Sequence, residues 1–169
     1  MPRIVGHEGI GEIVELGEHV GEHLKKGDIV GVPFIQKTCL HCEFCLSGRE
    51  TLCEKQRLSG VFADGCFAEY ALIDANFAIK LPDEMDPFTS APLFCAGVTV
   101  YKALKISKAR PGQWISITWL VDGSFPIKLI SYFSGFLAVA YATAMGFRVL
   151  AIVAPNDKVT FTTSKTSCR

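Results

Sequence analysis

This sequence has no excess of positive or of negative charge. Seventeen basic residues balance seventeen acidic ones, and neither sign gathers into a run or a tail. A nucleic-acid or membrane-surface partner needs a one-signed field, so neither is expected. There is no internal repeat and no low-complexity segment, which removes solenoids and biased linkers. The start meets glycine and charge within eight residues, so no secretory signal is read there and a reducing, cytoplasmic setting is expected. Uncharged runs are also scarce. Leu129–Phe147, at nineteen residues, reaches the length of a membrane span. Yet it carries Ser131, Ser134, Gly135, Thr143 and two tyrosines and ends at Gly146, which reads as a helix packed on a parallel sheet. At 169 residues the chain is long enough for one generous domain or a little more, with a real core.

What the chain does have is cysteine at close quarters. Cys39, Cys42, Cys45 and Cys53 follow a C-x2-C-x2-C-x7-C spacing. Two intervening residues allow a tight turn that aims both sulfurs inward, and the longer excursion returns the chain for the fourth. Four thiolates converging on one point are what a tetrahedral structural Zn²⁺ requires, and such a closed site leaves no position for chemistry. The alternatives are two disulfides, which need an oxidising compartment that nothing else here indicates, and four unrelated core cysteines, which their crowding into fifteen residues argues against.

Up to about residue 90 the pattern is short strands with glycine punctuation: Gly11–Leu16, Ile29–Val32, Phe67–Ile73 after the Asp64-Gly65 turn, and Phe77–Leu81 before Pro82. The texture then changes. Asp86-Pro87 is a helix N-cap signature, Pro92 splits the next region, and Val98–Leu104 has helical spacing. Gln113–Thr118 reads as a buried strand, Leu137–Met145 as a helix and Arg148–Val153 as a strand, which makes one parallel βαβ unit.

Four motifs occur in order: Gly6-His7-Glu8-Gly9-Ile10-Gly11, the cysteine quartet, Asp64-Gly65-Cys66-Phe67-Ala68-Glu69-Tyr70, and Leu93-Phe94-Cys95-Ala96-Gly97-Val98-Thr99-Val100-Tyr101. With them the chain resembles the zinc-dependent medium-chain alcohol dehydrogenases, nearest the tetrameric microbial and fungal type, over about residues 3–118 and again 137–158. The resemblance implies a mixed fold: a β-rich GroES-like catalytic domain with a structural-zinc lobe over 1–95, then a partial α/β Rossmann NAD-binding domain over 96–169. It implies a second, catalytic zinc that polarises the oxygen of a small alcohol or aldehyde for hydride transfer to NAD, and a homo-oligomer in the full-length family. His7 and Cys95 are then zinc ligands, Glu8 the adjacent carboxylate that tunes or transiently ligates the metal, and Thr99 a neighbour of the nicotinamide. Taken alone, His7 reads as a strand-end histidine and Cys95 as a small core residue, so the ordered context makes the assignment. His19, His23 and His41 match no ligand position, Cys66 reads as packing and Cys168 as a tail thiol.

Three departures set the expectations for activity. The family's catalytic zinc takes a further cysteine upstream of the Gly-His-Glu motif, together with a Thr or Ser of a proton relay, and neither stands in the six residues before His7. Where the family has a glycine-rich turn for the pyrophosphate, residues 119–136 form a longer insert with Trp119, Leu120 and Phe125. The acidic ribose-binding position is Val153, and a divergent polar tail occupies 159–169. The insert and tail have the look of an aberrant gene structure. An impaired enzyme that does not bind NAD productively is expected, with a non-catalytic zinc-stabilised module or remnant as the alternative.

Overall fold

The computed structural model describes residues 3–121, 128–155 and 160–163. The backbone divides into two compact units, Met1–Cys95 and Ala96–Arg169.

In the first unit, β1 (Gly9–Glu12), β2 (Ile29–Val32) and β5 (Ile79–Lys80) form an antiparallel sheet with β2 in the middle. β2 falls where the sequence places it, between the Lys25–Asp28 turn and Pro33. Its Val30 and Val32 are buried, as a central strand of β-branched residues requires. β1 ends earlier than Leu16, although Ile13 and Asp28 continue the ladder by a backbone bond of 2.9 Å. A second ladder joins β3 (Ile35–Lys37) to β4 (Arg57–Leu58), and the cysteine lobe lies between them with α1 (Glu43–Leu46) and a 3₁₀ turn at Glu50–Leu52. The unit closes with α2 (Pro87–Ser90) and a 3₁₀ turn at Ala91–Phe94. Asp86 caps α2 by accepting from the Phe88 N–H at 3.1 Å, with Pro87 in the first turn, and Pro92 stands in the 3₁₀ turn that breaks the helix.

The strand expected over Phe67–Ile73 does not form. Gly65, Cys66 and Phe67 bond back to Ile4, Gly6 and Val5, but the chain then leaves that partner, and Tyr70 and Leu72 are 74% and 92% exposed. A strand persists only against a partner edge. Here residues 68–73 instead line one side of a cavity of about 360 Å³ whose other side is Ile10–Gly17.

In the second unit, α3 (Ala96–Ile106) precedes β6 (Trp114–Val121), α4 (Lys128–Ala144), β7 (Arg148–Pro155) and β8 (Thr160–Thr163). β6 and β7 are parallel, in register from Trp114 opposite Arg148 to Val121 opposite Pro155. Leu104, Ala142, Phe147 and Val149 form the core. Gly146, at φ +81°, ends α4: the Gly146 and Phe147 N–H groups bond the Thr143 and Ala142 carbonyls, which is a Schellman closure. Three expectations are corrected. Trp119 and Leu120 continue β6 opposite Val153 and Ala154 and do not form a turn. α4 starts at Lys128, so it takes in the second half of the 119–136 insert, where no residue breaks helix geometry strongly enough to delay it; Phe125 lies outside the described residues. The polar tail contributes β8, because Thr and Phe suit a strand and the edge of β7 is there to receive it. Among the described residues no helix is long and apolar enough to cross a membrane.

Candidate metal centres

The lobe between β3 and β4 is built around its sulfurs. Leu40 takes a left-handed φ of +62°, uncommon outside glycine, and turns the chain so that Cys39 and Cys42 face one point. Cys42 caps α1, and its N–H reaches the Cys39 Sγ at 3.3 Å. α1 carries Cys45 round to the same point, and the Glu50–Leu52 turn delivers Cys53, which is 1% exposed. The sulfurs lie 3.8 Å (Cys39–Cys45), 3.5 Å (Cys42–Cys45) and 3.7 Å (Cys39–Cys53) apart. A tetrahedral ion with Zn–S bonds of about 2.3 Å sets its sulfurs about 3.8 Å from one another, so the cage has the right size. All four are free thiols, so the disulfide alternative is not what forms.

The protonation chemistry also fits a cation. Cys39 is held down to about 6, first by the backbone N–H of His41 and then, against the cost of burial, by the Cys42 N–H and the thiols of Cys42 and Cys53. At Cys42 the Cys45 N–H favours the thiolate, but burial and the neighbouring sulfurs outweigh it and push the thiol up to about 11. With Cys39 held low and Cys42 pushed high, neighbouring sulfurs of the cage are set against one another in charge. A divalent ion at their centre removes that conflict by letting all four ionise. Cys45 is lowered chiefly by the hydroxyl of Thr38, which is 3.5 Å from its sulfur and buried. Thr38 is a supporting residue the sequence reading did not single out, and a threonine before a cysteine gives no signal that would find it. His41 is exposed and bonds the Cys39 carbonyl through Nδ1, which leaves it outside the cage.

The second cluster comes from the ends of the first unit. One donor atom each of His7, Glu8 and Cys95 lies within 4.8 Å of the other two, all half-buried. His7 and Glu8 immediately precede β1, and Cys95 follows the Ala91–Phe94 turn. The His7 ring meets Phe34 edge-on, with centroids 5.2 Å apart and planes at 68°, an apolar wall that the sequence reading also missed. Burial raises the Cys95 thiol first, and the charge and hydrogen bond of Glu8 add to it. A cation between them would reverse these electrostatics. An imidazole, a carboxylate and a thiol around one point make the mixed nitrogen, oxygen and sulfur set of an open metal site, unlike the closed four-sulfur cage.

The remaining candidates are not members of either cluster. Cys66 packs its Sγ against Gly9, so a side chain at Gly9 would be pressed to within 2.7 Å of it, and burial raises its thiol. His19 and His23 are exposed. Thr99 is exposed on α3 in the second unit. Cys168 lies outside the described residues.

The family described as the alcohol dehydrogenase GroES-like domain matches residues 1–83. An alcohol dehydrogenase of Geobacillus stearothermophilus is 45% identical over 159 residues, covering 94% of this chain and 44% of that protein. Among solved structures, a CAD from Helicobacter pylori complexed with NADP(H) is 30% identical at a TM-score of 0.72, covering 89% of this chain and 42% of that one. A cobalt- and zinc-bound thermostable alcohol dehydrogenase from Pyrobaculum aerophilum is 27% identical at a TM-score of 0.72, with coverage of 89% and 42%. The chain therefore spans less than half the length of the curated relatives it matches.

Proposed function

We propose, from the membership of this chain in the alcohol dehydrogenase family, that its first unit is the metal-bearing half of an NAD-linked oxidoreductase acting on small alcohols or aldehydes. The single observation that carries this reading is the mixed donor set of His7, Glu8 and Cys95, separate from a four-thiol cage of the size a structural ion needs. Zinc bound there would supply Lewis acidity toward an alcohol or carbonyl oxygen. Cys95 and Glu8 offset the two positive charges of such an ion, and His7 supplies the neutral donor. Phe34 closes one side of the imidazole with apolar surface, which limits water at that face. The second unit is read as the beginning of the nucleotide-binding domain, with Thr99 toward the nicotinamide. A reducing, cytoplasmic compartment suits its free thiols, and self-association is expected of the family.

Turnover by these 169 residues alone is expected to be impaired. β6 runs on through Trp119–Val121 where a phosphate needs glycine and open backbone N–H groups. That same continuous strand favours the second reading, a non-catalytic module that keeps its structural zinc. Zinc analysis of the purified chain, beside NADH fluorescence titration and an NAD-dependent ethanol oxidation assay, separates the two. Two zinc ions per chain with no NADH affinity up to millimolar fits an impaired catalytic half. One zinc ion per chain leaves only the module, and micromolar NADH affinity would refute the impairment.

A further inference from the structure

Cys95 is brought to His7 and Glu8 from the far end of the first unit, and the residue before it carries the geometry that does so. Cys95 has φ −132° and ψ −68°, outside both helix and strand, at the end of the Ala91–Phe94 turn. That turn rests on the sheet through Phe94. A methyl group placed on Gly31 would overlap Cζ, Cε1 and Cε2 of the Phe94 ring, so the ring tip occupies the notch that only glycine leaves. Gly31 is buried in the centre of β2, paired with Ile10 of β1 on one side and Ile79 of β5 on the other. Ile10 stands three residues after His7 on the same short segment. The notch is thus tied by strand pairing to the segment that carries His7 and Glu8, and the residue whose ring is seated in it directly precedes Cys95, the third donor.

We infer that Phe94 is a positioning residue: keyed into the glycine notch at Gly31, its ring holds the Cys95 sulfur at ligand distance from His7 and Glu8. The inference rests on reading those three residues as metal donors. Metal bonds tolerate only about 0.2 Å of error, so lifting the ring by the width of a methyl group takes the sulfur out of the set. A phenylalanine serves because its ring is rigid beyond two side-chain torsions and transmits a displacement where a flexible chain would absorb it. The Cys39–Cys53 cage lies in a different part of the unit and provides an internal control within the same molecule.

The test is a Co²⁺ titration of the metal-free 169-residue chain, followed by cobalt–thiolate absorbance. The wild-type chain takes up two equivalents. Gly31→Ala keeps the first equivalent unchanged and weakens the second by at least about tenfold, the scale of lost support around a metal site. Phe94→Ala weakens the second likewise, with Gly31 intact. Leucine lacks the ring-tip atoms that an added methyl would overlap, so Gly31→Ala/Phe94→Leu recovers the second equivalent; this pair and Phe94→Ala carry the test if Gly31→Ala fails to fold. Unchanged second-site affinity in Gly31→Ala or Phe94→Ala, or no recovery in the double variant, overturns the inference while leaving the two-metal reading intact. A wild-type chain that takes up only one equivalent overturns the reading beneath it and the inference with it.

Discussion

Between Cys39 and Cys53 all four sulfurs come from one fifteen-residue stretch, whereas His7, Glu8 and Cys95 come from opposite ends of the first unit. Closing the short stretch costs little chain entropy, and its turns, N–H···S bonds and buried Thr38 set the cage locally. The second cluster exists only when β1, β2 and the Ala91–Phe94 turn are packed together. The first arrangement is therefore expected to depend on its metal, and the second to depend on the sheet.

Substitutions should separate the two sites. Cys53→Ser has the largest effect, because it removes the most buried donor of the cage. Lobe zinc is lost, and stability falls by on the order of 4 kcal/mol or more, the range of lost metal sites, as read by zinc analysis and thermal melting. His7→Ala comes next: the second metal is lost in a Co²⁺ titration, yet the melting temperature of the zinc-loaded lobe moves by less than about 1 kcal/mol equivalent, since no core packing is removed. Thr38→Val deletes the hydroxyl that favours the Cys45 thiolate. It should weaken lobe zinc affinity by about tenfold or somewhat more in a chelator competition and leave the second site unchanged.

The smallest effect is a pH dependence away from both metals. Lys80 Nζ sits 2.7 Å from Asp28 Oδ1, and the pair ties the turn before β2 to β5. Asp28 is lowered from its ordinary 3.8, first by that hydrogen bond and then by the Lys25 N–H, so its contribution is present above pH 3.8 and lost as pH falls through the lower folded value. Lys80 is raised from 10.5, so its contribution is present below that value and lost as pH rises through the higher folded one. Asp28→Asn should therefore lower the melting temperature slightly across the middle of the range, and the difference should vanish in acid and in strong base.

The same contrast explains what could be read from the chain alone. The cage was legible because spacing is local: two residues between cysteines dictate a turn whatever surrounds it. Local punctuation likewise placed β2 after its turn, α2 behind Asp86 and the end of α4 at Gly146. Features set by a distant partner were not legible. Phe67–Ile73 alternates like a strand, but its fate hangs on whether an edge reaches it, and the cavity beside Ile10–Gly17 lies where that edge would be. The family pattern places a turn at Trp119 and Leu120, whereas their place opposite Val153 and Ala154 depends on β7. His7, Glu8 and Cys95 carry no spacing signal of their own. Only the ordered resemblance named them together, and no pattern pointed to Phe34 at the edge of the His7 ring.

Two metal sites of different chemistry are expected in this chain, one closed sulfur site and one separate, mixed site. X-ray absorption at the zinc edge, recorded at one and then two equivalents of zinc, tests this expectation most directly. The first equivalent should show four sulfurs at about 2.3 Å and no light scatterer, and the second should add nitrogen or oxygen near 2.0–2.1 Å. A first equivalent that already mixes nitrogen or oxygen with sulfur, or a second that binds without changing the shell, would contradict it.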